Sequence, residues 1–299
     1  MTLADTVALT PDPEAVELVA QKPARLLRQA WRLWRTRIGV VLAGGVILIA
    51  IFGPYVAPHG PSDFVGAPYS SGPGIFGTDH LGQDVWSRFL NGGRSILWIA
   101  TAATVLGITT GALVGLVAAY SRNSLDDVLM RAMDVILAFP QIMLALVALV
   151  TLGAQSWLLI LAVGLTTMPR VARVVRGAAQ PIVERDFVAA ADALGVPRWR
   201  ILFSEVLPNV LAPLMVETSL RLTYAIALVA SLAFLGFTPN PGGADWGLMI
   251  FENRIALSVQ PWGVMLPIIA VGLLTLGTGL IGDGISRAAA GIDRRRGGE

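Results

Sequence analysis

An all-α polytopic membrane protein with six transmembrane helices is the fold class that three observations on this chain predict. Only 14% of its 299 residues are charged and 55% are hydrophobic, where a soluble domain averages about 25% and 45–50%. Six apolar stretches approach the length of about 20 residues that a helix needs to cross a bilayer. The basic residues, all arginine except Lys22, are clustered between those stretches rather than spread along the chain.

The elements follow in order. Residues 1–21 carry Asp5, Asp12, Glu14 and Glu17, whereas a cleavable signal opens with positive charge and moves quickly into an apolar run. This acidic start is expected to be a cytosolic tail, extending over residues 1–35. The first span is expected near 38–56, ending past Pro54, within a first membrane segment at 36–57. A loop at 58–94 follows, then a bundle of five further helices at 95–286 and a tail at 287–299. The second span, 95–120, has no charge. Residues 135–169 are also uncharged and too long for one span; 153–156 divide them, giving a third span near 129–152 and a fourth near 157–175. The fifth is expected near 210–237 and the sixth near 263–281.

Arginine bias sets the orientation. With the N-terminus in the cytosol, the inner side holds Lys22, Arg25, Arg28, Arg32, Arg35, Arg37, Arg122, Arg131, Arg170, Arg173, Arg176, Arg185, Arg198, Arg200, Arg287, Arg294, Arg295 and Arg296. The outer side holds Arg88, Arg94 and Arg254. Both termini are therefore expected in the cytosol. In the second span Gly107, Gly111 and Gly115 recur every four residues, a stripe that lets another helix backbone approach closely.

Several chemistries are excluded. No GxxxxGK[ST] phosphate loop occurs, so ATP hydrolysis by this chain is not expected. There is no cysteine, and His59 and His80 stand in no HExxH pattern. Asp79, His80 and Asp84 are too few for a metal site; Asp79 is instead expected to cap a helix along the membrane surface, with Trp86 and Phe89 facing lipid. No basic stretch interleaved with aromatics suggests nucleic acid, and no internal repeat suggests an inverted-repeat transporter. Glu217 and Arg221 share one helical face in the fifth span. They form either an ordinary ion pair at the cytosolic end or part of the lining of a translocation path.

One segment stands apart. Residues 187–209, FVAAADALGVPRWRILFSEVLPN, form a moderately polar island between apolar blocks. Two short helices are expected there, one ending over 189–194 and a second at 199–207, broken at Gly195-Val196-Pro197. A connection this size reads as a docking element on the cytosolic side.

Several motifs converge on one family. Gly77-Thr78-Asp79, Gly82, Asp84, Arg88 and then Gly92, Gly93, Arg94 and Ser95 resemble the GTDxLGRDxxSR…GxRxS signature of dipeptide- and oligopeptide-type ABC importer permeases. Ser231 to Gly236 is similar to the SLSFLG of that family, Asp245-Trp246-Gly247 with Met249 to its SWGxM, and Gly282-Asp283-Gly284 to its GDGLRD ending. The island is similar to its EAAxxxG…LP coupling loop through Ala190, Ala191, Gly195, Leu207 and Pro208, with Ala189 where the family has Glu and Glu205 where His is common. Asp186 and Asp192 are nearby candidates for the missing charge. The family Glu before SLSFLG falls near Val229.

The resemblance implies a type I ABC importer permease fold in the cell membrane. It implies a non-catalytic subunit that works by alternating access, with no cofactor in this chain and with ATP and Mg bound by two cytosolic ATPase subunits. A second homologous permease subunit and an extracytoplasmic substrate-binding protein would complete the complex. The coupling loop, about 176–208, would use Ala189, Ala190, Ala191, Asp192, Gly195, Val196, Pro197, Leu207 and Pro208. The substrate would be a peptide; nickel complexes and haem are alternatives, and a stand-alone secondary transporter or channel is the rival from another class.

Overall fold

A computed structural model describes residues 23–72, 74–121 and 124–290. Lys22 and the acidic start, Arg122, and Arg294, Arg295 and Arg296 lie outside the described residues. The helices are α1 (Pro23–Arg32), α2 (Trp34–Val56), α3 (Val85–Tyr120), α4 (Ser124–Leu137), α5 (Gln141–Leu152), α6 (Ser156–Val183), α7 (Asp186–Ala193), α8 (Arg198–Ile201), α9 (Leu207–Phe234), α10 (Trp246–Asn253) and α11 (Trp262–Ala289). Two isolated bridges, Phe64 with Gln83 and Thr78 with Asp84, are the only β pairing among the described residues.

Five helices are long and apolar enough to cross a membrane, and α4 with α5 makes a sixth if that bent pair is one span. The pair bends by 79°. The third span expected near 129–152 is thus broken in its middle. Pro140 lacks an N–H and disfavours the helical conformation of Phe139 before it, so α4 stops at Leu137 and α5 starts at Gln141. The division expected at 153–156 is present: Gly153, at φ +90°, ends α5.

The second long helix begins ten residues before its uncharged stretch. Asp84 is its N-cap, accepting from the Ser87 amide, which corrects the cap expected at Asp79. Phe89 does not face lipid either. It is buried and stacked between Trp86 and Trp246, with centroids 5.6 Å apart on each side.

Inside a bilayer, lipid tails are as apolar as leucine, so close packing rather than the hydrophobic effect joins helices. The glycine stripe supplies it. A Cβ at Gly107, Gly111 or Gly115 would lie 2.8, 2.7 and 2.5 Å from the carbonyl oxygens of Gly164, Met168 and Ala172 on α6. A second close approach, between α2 and α11, went unread in the sequence: a Cβ at Gly39 would sit 2.6 Å from the Gly277 oxygen.

Two main hydrophobic cores result. One joins α2, α3, α5, α6, α9, α10 and α11 around Ala50, Phe89, Ile96, Leu159, Ile226, Trp246 and Leu274. The other gathers the far ends of α3 and α6, the start of α9 and the connecting loop around Leu116, Val175, Ile182, Val188, Ile201 and Val206.

Candidate functional site

The island forms a helix–turn–helix at the Tyr120 end of α3. Asp186 supplies an acidic side chain to the first turn of α7, where it complements the helix dipole. α7 ends in a Schellman turn: the Val196 amide donates to the Ala191 carbonyl at 3.1 Å and the Gly195 amide to that of Asp192 at 3.0 Å. Gly195 takes the left-handed position, φ +74°. Pro197 then precedes α8 with extended backbone. The expected second short helix does not stop at Leu207. α8 runs through a π-turn, Leu202–Val206, straight into α9, so Arg198–Phe234 reads as one 37-residue helix. Leu207 packs onto the second core, and Pro208, which has no N–H to donate, follows directly on the π-turn.

The loop is anchored on one side and open on the other. Val188, Ile201 and Val206 are buried, and Ala191 and Val196 pack against them. Ala189 and Ala190 are exposed. Asp192 is exposed and accepts from the Tyr120 hydroxyl at 3.1 Å. Sequence reasoning singled out small residues and missed the large ones beside them. Phe187, Leu194, Trp199 and Phe203 are all exposed, Leu194 by 83%. Large apolar side chains in a polar segment were the signal, since contiguous exposed apolar surface marks interaction sites.

At the other end of α3 the residues of the Gly77–Arg88 motif form one buried cluster. Asp79 accepts from the Leu81 and Gln83 amides, each at 2.9 Å, and from Arg88. The Arg88 guanidinium, 1% exposed, also lies 3.0 Å from Glu252 Oε2 and donates to the Gly243 carbonyl at 3.1 Å. His80 Nδ1 is 3.8 Å from both Asp79 Oδ2 and Glu252 Oε2, and its amide donates to Asn253 Oδ1. The Thr78 hydroxyl donates to the Ala67 carbonyl at 2.6 Å. Gly77 and Gly82 let strands of loop pass: a Cβ would lie 2.4 Å from the Ser70 oxygen and 2.2 Å from that of Gly66.

The motif on α10 completes the cluster. Trp246, fully buried, donates from its indole to the Phe89 carbonyl at 2.8 Å. A Cβ at Gly92 or Gly93 would come within 2.8 Å of its ring. Asp245 caps α10 through the Gly247 and Leu248 amides and accepts from the Ser95 hydroxyl. Burial raises the Asp245 carboxyl above its usual range, against the lowering effect of those hydrogen bonds. Glu252 and Asn253, unmarked in the sequence reading, are therefore structural partners of the motif. Their distance in sequence from Arg88 hid them.

Glu217 and Arg221 are paired at 2.6 Å, with side chains 7% and 11% exposed. A Cβ at Gly282 would lie 3.1 Å from Ser219 Oγ, and neighbouring Asp283 pairs with Arg35 in the first turn of α2. The Glu217–Arg221 pair thus lies at the level where α2 begins. Val229 is buried in the first core. No group of three or more His, Cys, Asp or Glu able to hold a metal occurs among the described residues.

Comparison with known proteins fits this architecture. Residues 107–290 match the family described as binding-protein-dependent transport system inner membrane component. The chain is 35% identical over 252 residues to the di/tripeptide transport system permease protein of Pseudomonas aeruginosa, covering 81% of this chain and 83% of the relative. It is 34% identical over 256 residues to the dipeptide transport system permease protein of Alkalihalophilus pseudofirmus, covering 84% of each. A glutathione transport system permease protein of Pectobacterium atrosepticum is 32% identical over 274 residues, covering 88% and 91%. With its membrane-crossing helices, its helix–turn–helix loop and these matches, the chain belongs to the family of binding-protein-dependent transport system inner membrane components.

Proposed function

We propose that this chain forms half of the translocation pathway of an ATP-driven importer for peptides. A second, homologous permease subunit supplies the other half. Two cytosolic ATPases bind ATP and Mg and do the hydrolysis, and an extracytoplasmic binding protein delivers substrate. The chain itself catalyses nothing. The names of the relatives support the peptide class, and the arginine bias supports a cytosolic N-terminus.

The observation that carries the reading is the loop at 187–209, apolar and exposed on one side and seated on its own core on the other. Its exposed Phe187, Leu194, Trp199 and Phe203 offer a groove-filling surface, and Ala189 and Ala190 let a partner backbone come close. Continuity of α8 with α9 through the π-turn lets a displacement of the docked loop reach a membrane-crossing helix as rigid-body motion. Glu217 and Arg221 are better suited to holding helices together than to lining a path, because both are turned into this half and satisfy each other.

The test is reconstitution. Purified with the second permease and the ATPases, the complex takes up di- or tripeptide into proteoliposomes only with ATP and the binding protein. Peptide transport by this chain without any ATPase overturns the reading.

A further inference from the structure

We propose that α1 is a membrane-surface element whose arginine stripe binds the headgroups of anionic phospholipids. The helix divides into three stripes. Leu26 and Ala30, one turn apart, are buried; Ala30 packs with Ile285 and Ala288 of α11. Leu27 and Trp31, also one turn apart, are 50% and 54% exposed, and Trp34 follows at 67%. Arg25, Arg28 and Arg32 occupy the third stripe and are all exposed. At 100° per residue the three sets point in three directions: into the protein, along its side, and away from both.

This pattern needs an occupant with an apolar part beside an anionic part. Leu33 alone separates α1 from α2, which crosses the membrane, so α1 is held at the bilayer boundary. There Leu27 and Trp31 meet acyl chains and the arginines meet phosphate oxygens, which a guanidinium engages in pairs. Charge balance within the chain points the same way. Among the described residues no carboxylate lies within 4.0 Å of Arg25, Arg28 or Arg32, and Asp283 is already held by Arg35 at 2.9 Å and Arg287 at 3.1 Å. The Arg37 guanidinium donates to the Trp31 carbonyl at 3.1 Å, fixing the end of α1 against α2. The stripe is therefore presented rigidly, with its charges unspent.

The test uses the full chain in bilayers and the quenching of tryptophan fluorescence by brominated lipid. The Trp31 signal is taken as the difference between wild type and Trp31→Phe. Brominated phosphatidylglycerol is compared with brominated phosphatidylcholine. The expected preference for phosphatidylglycerol at Trp31 is about tenfold. In Arg25→Gln/Arg28→Gln/Arg32→Gln it falls to about onefold, while quenching by phosphatidylcholine persists. In the matching triple Lys variant most of the preference survives. All three positions are exposed, so melting temperature stays unchanged. An undiminished preference in the Gln variant overturns the proposal, as does absence of Trp31 quenching by either lipid. Loss of ATPase co-purification with the lipid preference intact also overturns it, by assigning the stripe to a protein partner.

Discussion

Replacing Gly195 separates the shape of the loop turn from its contacts. The residue stands at φ +74° in the Schellman turn that closes α7, and a Cβ built there meets nothing within 4 Å. A substitution therefore adds no clash within this chain; its cost is that of the left-handed backbone alone, about 1–2 kcal/mol for an ordinary L-residue. Asparagine tolerates that conformation, alanine bears the full cost, and β-branched valine exceeds it. Since 1.4 kcal/mol is about tenfold in an equilibrium constant, alanine lowers the ratio of formed to unformed turn by roughly five- to thirtyfold and valine by more. The assay is peptide uptake per ATP hydrolysed by the reconstituted complex with its binding protein. Gly195→Asn keeps near-wild-type coupling, Gly195→Ala is reduced, and Gly195→Val hydrolyses ATP without matching uptake or loses its ATPases on purification. Full coupling by Gly195→Val refutes the reasoning. Equal loss in the asparagine and valine variants also refutes it, because a partner pressed against this position, and not the backbone, would then explain the glycine.

Arg88→Met leaves buried Asp79 and half-buried Glu252 beside an apolar chain, which costs about 3–5 kcal/mol; the melting temperature in detergent falls, and adding Asp79→Asn with Glu252→Gln restores part of it. Gly111→Ala and Gly177→Ala, both inside helices, go opposite ways. A Cβ at Gly111 lies 2.6 Å from that of Val171, whereas Gly177 has nothing within 4 Å; Gly111→Ala destabilises, and Gly177→Ala stabilises by up to about 1 kcal/mol, read by the same thermal melt.

Much of the fold could be read from the chain because bilayer length and charge are one-dimensional quantities. Apolar runs located the spans, and the Gly107–Gly111–Gly115 stripe announced a close helix contact that α6 supplies. The turn at Gly195 was equally local. What escaped depends on partners remote in sequence. The start of α3 at Val85 was hidden by the charge of Arg88, which the fold neutralises with Asp79 and Glu252. The hydrophobic burial of Phe89 required knowing that Trp246 would stack on it. The break before Pro140 was visible in the letters, but uniform hydropathy through 135–152 gave no length limit to enforce it. In the loop, backbone punctuation was legible, and the exposed side chains were passed over because apolar residues are read as interior by default.

The two cores have a mechanical consequence. α3, α6 and α9 each run through both, with Ala103 and Ile108, Val163 and Val171, and Ala225 and Val210 marking where one core gives way to the other. Gly107, Gly164, Pro169 and Pro213 fall in these intervals. Proline and glycine are where helices bend most easily. Three of the long helices thus carry bend-prone residues between the two cores, where a tilt of one core against the other can be taken up without repacking either.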